Sequence, residues 1–324
     1  MTYVNDEERP GIRRQGKPGR FRYVTPSGKP LREKSALRRI AKLAIPPAWT
    51  HVWIAADTRA HLQATGRDVR GRKQYRYHPA FAAVRDADKY RHLVDFALAL
   101  PAMRRRLRKD MAGRSLSREK VLACAVTLLE RSLIRIGNEA YARNNKSFGL
   151  TTLQNRHVRI RGGRLRFLFM GKSGKRWDLS IEDRRIARVL RACQELPGQH
   201  LFEYRDEEGN VHAVTSSEVN AYLREISGAD ITAKDFRTWA GTVHAAQALA
   251  AVELPATKKA VRAVVAQVAE RLGNTVAVCR KCYIHPAVIQ TFEQGALRIG
   301  KSGRGALEKS VLALLRKAMR QSRL

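Results

Sequence analysis

The sequence has few cysteines and no long hydrophobic run. Only four cysteines occur among 324 residues, and they are scattered: Cys124, Cys193, Cys279 and Cys282. That number and spacing exclude the disulfide framework of small secreted proteins and indicate a reducing compartment. No apolar segment approaches the roughly 20 residues that span a bilayer, and the polar start MTYVNDEERP lacks the pattern of a signal peptide. We therefore expect a cytoplasmic protein that makes no contact with a membrane.

Acidic side chains are also scarce. Aspartate and glutamate number 29 against 63 lysines and arginines, which gives a formal net charge of +34. Basic residues outnumber acidic ones both before and after residue 88, so the charge is not confined to a tail. A compact chain this basic repels itself unless its partner is a polyanion, and nucleic acid is the common one. A purely structural nucleic-acid-binding protein, of ribosomal or chromatin type, also explains the composition.

Cys279 and Cys282 form a CxxC pair, a pattern that occurs in many zinc sites. Zinc takes four ligands, and no second CxxC or HxxxH pair follows in the sequence. We therefore predict neither a metal ion nor another cofactor. Both cysteines are interpreted as packing residues.

The patterns along the chain predict an α+β protein of two domains. After an Arg-, Gly- and Pro-rich start with a short hairpin, residues 34–43 have the pattern of a helix and HVWIAA that of a strand. Residues 79–88 are mixed in charge, which is typical of a linker, and a helical pattern follows from Lys89. We predict a small β-rich N-terminal domain at residues 1–85. A larger, mainly helical domain with a small antiparallel sheet would occupy residues 86–324.

Residues 61–81, HLQATGRDVRGRKQYRYHPAF, mix cations with polar and aromatic side chains. Cations neutralise phosphates, while glutamine and tyrosine reach base edges or stack on bases and sugars. The candidates for contact with nucleic acid are Arg67, Lys73, Gln74, Tyr75 and Tyr77. A solvated basic hairpin with two packed tyrosines fits the same pattern.

The patterns of the second domain predict the positions of two basic residues, Arg135 and Lys172. Ser117 is the predicted N-cap of a long helix that ends near Gly137 and has Arg135 in its last turn, where a cation is also favourable against the helix dipole. Residues 158–181 alternate charged and apolar positions, which predicts a hairpin. The tight turn GKSGK places Lys172 at the hairpin tip, where it is either solvent-exposed or inserted into a groove.

The segment ITAKDFRTWAGTVHAAQALA predicts a helix that begins with a capping box. Arg237, Gly241 and His244 lie on one stripe of this helix because they are three or four residues apart. We expect Gly241, which lacks a side chain, to let a phosphate backbone come close between Arg237 and His244. Alternatively, the arginine and the histidine are ordinary surface residues. The next predicted helix, residues 258–272, ends at Gly273 and leads into NTVAVCRKCYIHP.

That basic segment, residues 274–286, contains Tyr283. By itself, a tyrosine among basic residues is usually an ordinary surface or core residue. A phenol with a pKa near ~10 attacks a phosphodiester only if other groups stabilise the charge of the transition state. Several side chains can stabilise this charge without a metal. They are the planar forks of arginines, an amide or imidazole donor, and a lysine that protonates the leaving oxygen. The spacing of such residues along the chain does not identify the set.

Four segments resemble successive motifs of the type IB DNA topoisomerases, in particular of their small bacterial and poxvirus-like branch. They are IRIGNEAYARNNKSFGLTTL (134–153), FLFMGKSGK (167–175), KDFRTWAGT (234–242) and LGNTVAVCRKCYIHP (272–286). They occur in the family's order, and GRDVRGRKQYRYHPAF resembles the N-terminal domain of the same branch. The resemblance covers most of residues 35–290. It implies a DNA-clamping N-terminal domain, a catalytic domain similar to that of tyrosine recombinases, and a monomer that relaxes duplex DNA without ATP or a metal.

The resemblance also implies roles for individual residues. Tyr283 would be the nucleophile that forms a 3′-phosphotyrosine, Arg135 and Arg237 would hold the scissile phosphate, and Lys172 would protonate the 5′-oxygen. The viral members have a histidine nine residues before the tyrosine, where this chain has Asn274. An amide donates a hydrogen bond to a phosphate oxygen without adding charge, so we expect Asn274 to contribute less to the rate. The residues that match DNA-contacting positions of the family are Gln74, Tyr75, Tyr77 and Tyr141.

Two other functions remain compatible with the sequence. A tyrosine recombinase uses the same chemistry on a similar fold, but recombinases usually have a histidine three residues before the second arginine, where this chain has Lys234. They also require paired protomers and dedicated DNA sites. The alternative without catalysis is a basic DNA-coating protein in which the tyrosine is inert.

Overall fold

The chain divides into two compact units, Met1–Lys89 and Tyr90–Leu324. The first unit is β-rich, and the second is mainly helical with small antiparallel sheets, which confirms the predicted α+β composition. The computed structural model describes residues 1–6, 8–113, 115–253, 256–300 and 303–321.

The first unit is built around a five-stranded antiparallel sheet covered by a helix. The elements are β1 (Ile12–Gln15), β2 (Arg22–Val24), α1 (Lys34–Lys42), β3 (Thr50–Ile54), β4 (Leu62–Arg67) and β5 (Lys73–Tyr77). The strand order is β2-β1-β3-β4-β5. Ile40 of α1 packs with Val52 and Ile54 on one face, while Trp53 packs with Leu62 on the other. The predicted N-terminal hairpin, helix and strand are all present.

The second unit packs its helices around α3. Its helices are α2 (Pro79–Met111), α3 (Arg118–Ser132), α4 (Glu139–Asn145), α5 (Arg184–Gln194), α6 (Ser216–Ser227), α7 (Ala233–Ala250), α8 (Lys258–Leu272), α9 (Val276–Cys282), α10 (Pro286–Glu293) and α11 (Gly303–Gln321). Helix α3 buries apolar residues on all sides and contacts α5, α6 and α7, as expected for a central helix. Among the described helices, none is long and apolar enough to cross a membrane.

Two small sheets complete the second unit. The strands β6 (Val158–Arg161), β7 (Arg164–Met170) and β8 (Arg176–Glu182) pair antiparallel in that order, and β9 (Glu203–Arg205) pairs with β10 (Val211–Ala213). Phe167 and Phe169 of β7 are buried on one face, as the alternating pattern predicts. The predicted hairpin of residues 158–181 is therefore confirmed as part of a three-stranded sheet.

Capping side chains set several helix boundaries in this unit. Ser117 accepts a hydrogen bond from the third residue of α3, and Thr232 and Asp235 form a capping box at the start of α7. Gly273 ends α8 in a left-handed conformation with φ 63°. These starts and stops follow the sequence prediction because each depends on residues within one turn of the boundary.

The predicted linker at residues 79–88 is wrong. Helix α2 begins at Pro79 and continues to Met111 without interruption. Proline is well accommodated at the first position of a helix because the first amides have no intrahelical acceptor. The mixed charge that suggested a linker thus belongs to a helix, and the boundary between the two compact units falls inside it.

Candidate active site

Arg135 lies on the extended segment that follows α3. The helix ends at Ser132, and Leu133 stops it by adopting a left-handed conformation with φ 57°. The prediction that Arg135 occupies the last turn of this helix is therefore wrong, and so is its interpretation as a cation placed against the helix dipole. The backbone amide of Leu150 donates to the carbonyl oxygen of Arg135 at 2.8 Å and fixes the segment.

Arg237 projects from α7 into the protein interior and is only 3% exposed. Its Nη2 donates to the carbonyl oxygen of Leu272 at 2.7 Å, and its Nη1 donates to the carbonyl oxygen of Leu133. Burial lowers the pKa of Arg237, while the nearby Tyr283 acts in the opposite direction. The ordinary pKa of arginine is so high that the side chain remains charged at neutral pH. The alternative that Arg237 is a surface residue is therefore wrong.

Arg135 and Arg237 form a pair of positive charges without counter-ions. Burial and, secondly, the neighbouring Arg237 lower the pKa of Arg135. In the described part of the chain neither guanidinium group forms an ion pair, and their hydrogen-bond acceptors are neutral oxygens. Charges buried without a counter-ion are costly. The pair is therefore suited to hold an anion, and planar forks match the oxygens of a phosphate.

Asn274 connects the two arginines. Its Oδ1 accepts hydrogen bonds from Arg135 and, at 3.5 Å, from Nη2 of Arg237. Guanidinium groups only donate, so the amide oxygen has to face them and the amide nitrogen points elsewhere. That nitrogen, Nδ2, is buried and has no hydrogen-bond partner among the described residues. A phosphate oxygen bound to the two arginines would supply the missing acceptor.

Tyr283 lies at the end of α9, beside this anion site. The centroid of its ring is 5.1 Å from the guanidinium carbon of Arg237. Its backbone amide donates to the carbonyl oxygen of Cys279 at 2.9 Å. Cys279 is fully buried, as expected of a packing residue, and all four cysteines are free thiols. The fold thus brings together Tyr283, Arg237, Arg135 and Asn274 from four separate segments.

Gly241 and Thr242 of α7 support the main chain at the tyrosine. A Cβ atom at Gly241 would lie 2.5 Å from the carbonyl oxygen of Tyr283. The Thr242 hydroxyl lies 3.4 Å from the same oxygen, to which it donates, and accepts from the amide of His285 at 3.1 Å. Gly241 therefore admits the protein's own backbone, and the expectation that it admits a DNA phosphate is wrong. Sequence reasoning missed Thr242, and its place beside that glycine is the signal that could have identified it.

Lys172 lies in the exposed turn between β7 and β8, which confirms its predicted location at the hairpin tip. The base of the turn is fixed to the end of α8: Lys175 donates to the carbonyl oxygen of Glu270 at 2.9 Å. The ring of Trp177 covers Gly273, where a Cβ atom would lie 2.9 Å from its Cζ2. The hairpin that carries Lys172 therefore rests on the residue just before Asn274.

Strand β5 of the first unit contains four of the candidate DNA-binding residues, which are Lys73, Gln74, Tyr75 and Tyr77. Tyr75 and Tyr77 are 46% and 38% exposed, and their rings stack with centroids 6.0 Å apart. The ammonium group of Lys73 lies 5.9 Å from the ring centroid of Tyr75 and donates to Asp6 at 3.0 Å. Exposed aromatic rings beside a cation suit the stacking and charge of nucleic acid.

Arg67 and Gln74 are held by the turn between β4 and β5. Arg67 donates to the carbonyl oxygen of Gly71, and Gln74 donates to Asp68, both at 2.9 Å. A hydrogen bond from Arg72 is the main reason that the pKa of Asp68 falls to about 2. To contact DNA, Arg67 or Gln74 would have to break these internal hydrogen bonds and form new ones with the DNA.

The other two candidates belong to the second unit. Tyr141 on α4 is half exposed. His244 is half-buried and lines a cavity of about 800 Å³ together with Arg271 and Arg304. Burial and then these two arginines lower the pKa of His244 to about 4, so the imidazole is neutral at pH 7. His244 therefore adds no positive charge for a phosphate at neutral pH.

The arrangement as a whole can bind a phosphate group and present a tyrosine to it. Two arginines and the amide group of Asn274 lie together beside the tyrosine, and a lysine stands at the tip of a hairpin that contacts the end of α8. This is the chemistry of enzymes that cut nucleic acid strands through a tyrosine.

Comparisons with known proteins agree with this class. Residues 78–305 match the family model for the catalytic core of eukaryotic DNA topoisomerase I, and residues 20–68 match that for the N-terminal domain of bacterial DNA topoisomerase IB. The chain is 31% identical over 304 residues to the DNA topoisomerase 1B of Acanthamoeba polyphaga mimivirus, covering 90% of each chain. It is 22% identical over 245 residues to the vaccinia virus (strain Copenhagen) DNA topoisomerase 1B, covering 75% of each. The chain belongs to the type IB DNA topoisomerase family.

Proposed function

We propose that this protein relaxes supercoiled duplex DNA by cutting one strand through Tyr283, letting the free end rotate, and resealing the nick. The observation that carries the proposal is the anion site beside the tyrosine. Two guanidinium groups without counter-ions and a buried amide donor without an acceptor match the needs of a scissile phosphate. The viral relatives are named DNA topoisomerases, which supports the same activity.

In the proposed cleavage step, the phenolic oxygen of Tyr283 attacks the phosphorus and gives up its proton to solvent. The bond from phosphorus to the 5′-oxygen breaks, and a 3′-phosphotyrosine forms. Arg135 and Arg237 stabilise the charge on the non-bridging oxygens, and Nδ2 of Asn274 donates to one of them. Lys172 protonates the departing 5′-oxygen. Religation is the reverse reaction, in which the 5′-hydroxyl attacks and Tyr283 leaves.

The proposed cycle needs no energy source because the phosphotyrosine keeps the energy of the broken phosphodiester. The arginines supply the positive charge that metal ions provide in many other phosphoryl-transfer enzymes. We therefore expect relaxation without ATP and in the presence of EDTA.

Duplex DNA is the proposed partner. The net charge of +34 and the stacked Tyr75 and Tyr77 support binding to a polyanion with aromatic bases. We propose a monomer that clamps the duplex, with a DNA-clamping N-terminal domain at residues 1–85 and a catalytic domain similar to that of tyrosine recombinases at residues 86–324. The proposed location is the cytoplasm, on the nucleoid.

The proposal is tested with supercoiled plasmid in EDTA without ATP. We expect the purified chain to convert the supercoiled band into a ladder of relaxed topoisomers. Tyr283→Phe should abolish relaxation and leave salt-sensitive DNA binding nearly intact, since it removes only the attacking oxygen. The matched control is Tyr204→Phe, which removes a hydroxyl that donates to Glu218 at 3.1 Å in the same unit.

Each outcome has a definite meaning. A supercoiled band that persists with the unaltered protein would refute the topoisomerase function and favour a DNA-coating protein. Products joined between two duplexes instead of a topoisomer ladder would favour a recombinase. Full activity of Tyr283→Phe would show that another group is the nucleophile.

A further inference from the structure

A second tyrosine contacts the chain on both sides of the proposed nucleophile. Tyr90 lies on α2, and its hydroxyl is 3.1 Å from the carbonyl oxygen of Ile284 and 3.2 Å from that of Lys281. Those two residues flank Tyr283. We propose that Tyr90 is a positioning residue, which rests on the proposed role of Tyr283 as nucleophile. Tyr90 holds the main chain so that the phenol of Tyr283 faces the scissile phosphate.

The nucleophile segment, which we define as α9 with Tyr283, is short. Helix α9 has seven residues and ends at Tyr283, and isolated helices of that length are unstable in water. Cys279 is its buried residue, whereas Val276 and Val278 are each 46% exposed. A helix has no intrahelical donor for its last carbonyl groups, and the Tyr90 hydroxyl lies within hydrogen-bond distance of one of them, that of Lys281. External hydrogen bonds, together with the buried side chains of Cys279 and Ile284, therefore hold this turn and with it Tyr283.

Tyr90 also contacts the residue that starts the next helix. Its ring centroid is 4.5 Å from that of His285, the buried N-cap of α10, whose Nδ1 accepts from the amide of Ala287 at 3.1 Å. On the other side, Thr242 of α7 bonds to the carbonyl oxygen of Tyr283 and the amide of His285. Tyr90 and Thr242 thus hold the segment from two different helices.

A positioning role predicts an asymmetry between the two half-reactions. Before cleavage only the protein holds the phenol near the phosphate, so a loosened segment lowers its effective concentration. After cleavage the phosphotyrosine bond itself keeps the side chain at the phosphate. Loss of the Tyr90 hydroxyl should therefore slow cleavage much more than religation and lower the covalent fraction at equilibrium.

The experiment uses the full-length chain with Tyr90→Phe, which removes one oxygen atom and keeps the ring beside His285. Single-turnover cleavage of an intact DNA duplex is measured at saturating enzyme. Religation is measured from the isolated covalent complex. We expect cleavage to slow by roughly 5- to 20-fold and religation by less than about 2-fold. The control Tyr204→Phe, which also loses one hydroxyl hydrogen bond in the same unit, should leave both rate constants unchanged.

These rate constants separate positioning from a general loss of stability. Because the enzyme is in excess, a partly unfolded preparation still reacts with the rate constant of its folded fraction. Equal slowing of cleavage and religation, or no slowing of either, would overturn the proposal for Tyr90. If the unaltered chain forms no covalent complex, the proposed function itself fails, and that result is seen before any variant is compared.

Discussion

The side-chain oxygen of Asn274 accepts a hydrogen bond from the guanidinium group of Arg135. Arg135 also donates to the carbonyl oxygen of Gly273 at 2.8 Å, so two consecutive residues at the end of α8 orient it. The amide nitrogen of Asn274 is left buried without an acceptor in the described part of the chain. One side chain thus has two possible roles, which are to orient the arginines and to donate to the phosphate.

Two substitutions at Asn274 distinguish these roles. Asn274→Ala removes both and should slow single-turnover cleavage by roughly 10- to 100-fold. Asn274→Asp keeps an acceptor for the arginines, but it removes the N–H donor and adds a negative charge that repels phosphate. We expect Asn274→Asp to cleave more slowly than Asn274→Ala and to melt at a higher temperature. Faster cleavage by the aspartate variant would mean that Asn274 serves only to orient the arginines.

Lys172→Ala should slow cleavage because the 5′-oxygen, without a proton from the lysine, is a poor leaving group. A substrate with a 5′-bridging sulfur should restore most of the rate, since a thiolate leaves without a proton. The matched control is Lys175→Ala, because Lys175 bonds to the carbonyl oxygen of Glu270 and supports the same hairpin. We expect that control to react equally slowly on both substrates. The measurement is the ratio of cleavage rates on sulfur and oxygen substrates, and an unchanged ratio in Lys172→Ala would contradict the general-acid role.

Gly241→Ala should destabilise the protein although alanine favours helices. In a helix interior this change usually stabilises by up to about 1 kcal/mol. At Gly241 the new Cβ would lie 2.5 Å from the carbonyl oxygen of Tyr283, and the clash should cost roughly 1–3 kcal/mol. Cleavage should also slow, because the segment with the proposed nucleophile Tyr283 is displaced.

Gly305→Ala is the control for that change. Gly305 lies in α11, and a Cβ atom there meets no neighbour within 4 Å. Thermal melts should show a higher Tm for Gly305→Ala and a lower one for Gly241→Ala. A stabilised and fully active Gly241→Ala would show that the Tyr283 carbonyl moves without consequence.

The stability of the protein should decrease at acidic pH partly through His244. Its folded-state pKa is lowered to about 4, first by burial and then by Arg271 and Arg304. The unfolded chain has an ordinary histidine pKa near 6.5 and therefore binds the proton first as pH falls. The contribution is fully present above about pH 6.5 and is lost as pH falls through about 4. His244→Gln should show a smaller fall in Tm between pH 7 and pH 4.5, and an equal fall would contradict the prediction.

Local sequence signals predicted the elements whose boundaries depend on neighbouring residues. The capping box of Thr232 and Asp235 and the glycine stop at Gly273 lie within one turn of the boundaries that they set. The hairpin tip with Lys172 follows from alternation and a tight turn. The prediction of a linker at the start of helix α2 is wrong because mixed charge does not exclude a helix. The predicted end of α3 near Gly137 is wrong because Leu133 adopts a left-handed conformation, which leucine rarely does.

The sequence by itself determined the polyanionic partner, through the charge of +34, and the candidate residues, through motifs that resemble a known family. Only the tertiary structure decided how those residues are arranged relative to one another. Arg237 turned out to be buried and anchored by carbonyl groups of two distant segments, and Gly241 turned out to face the Tyr283 main chain. The physical reason is that local patterns report on one helix or strand at a time. Counter-ions, orphaned donors and close backbone contacts exist only after distant segments have packed.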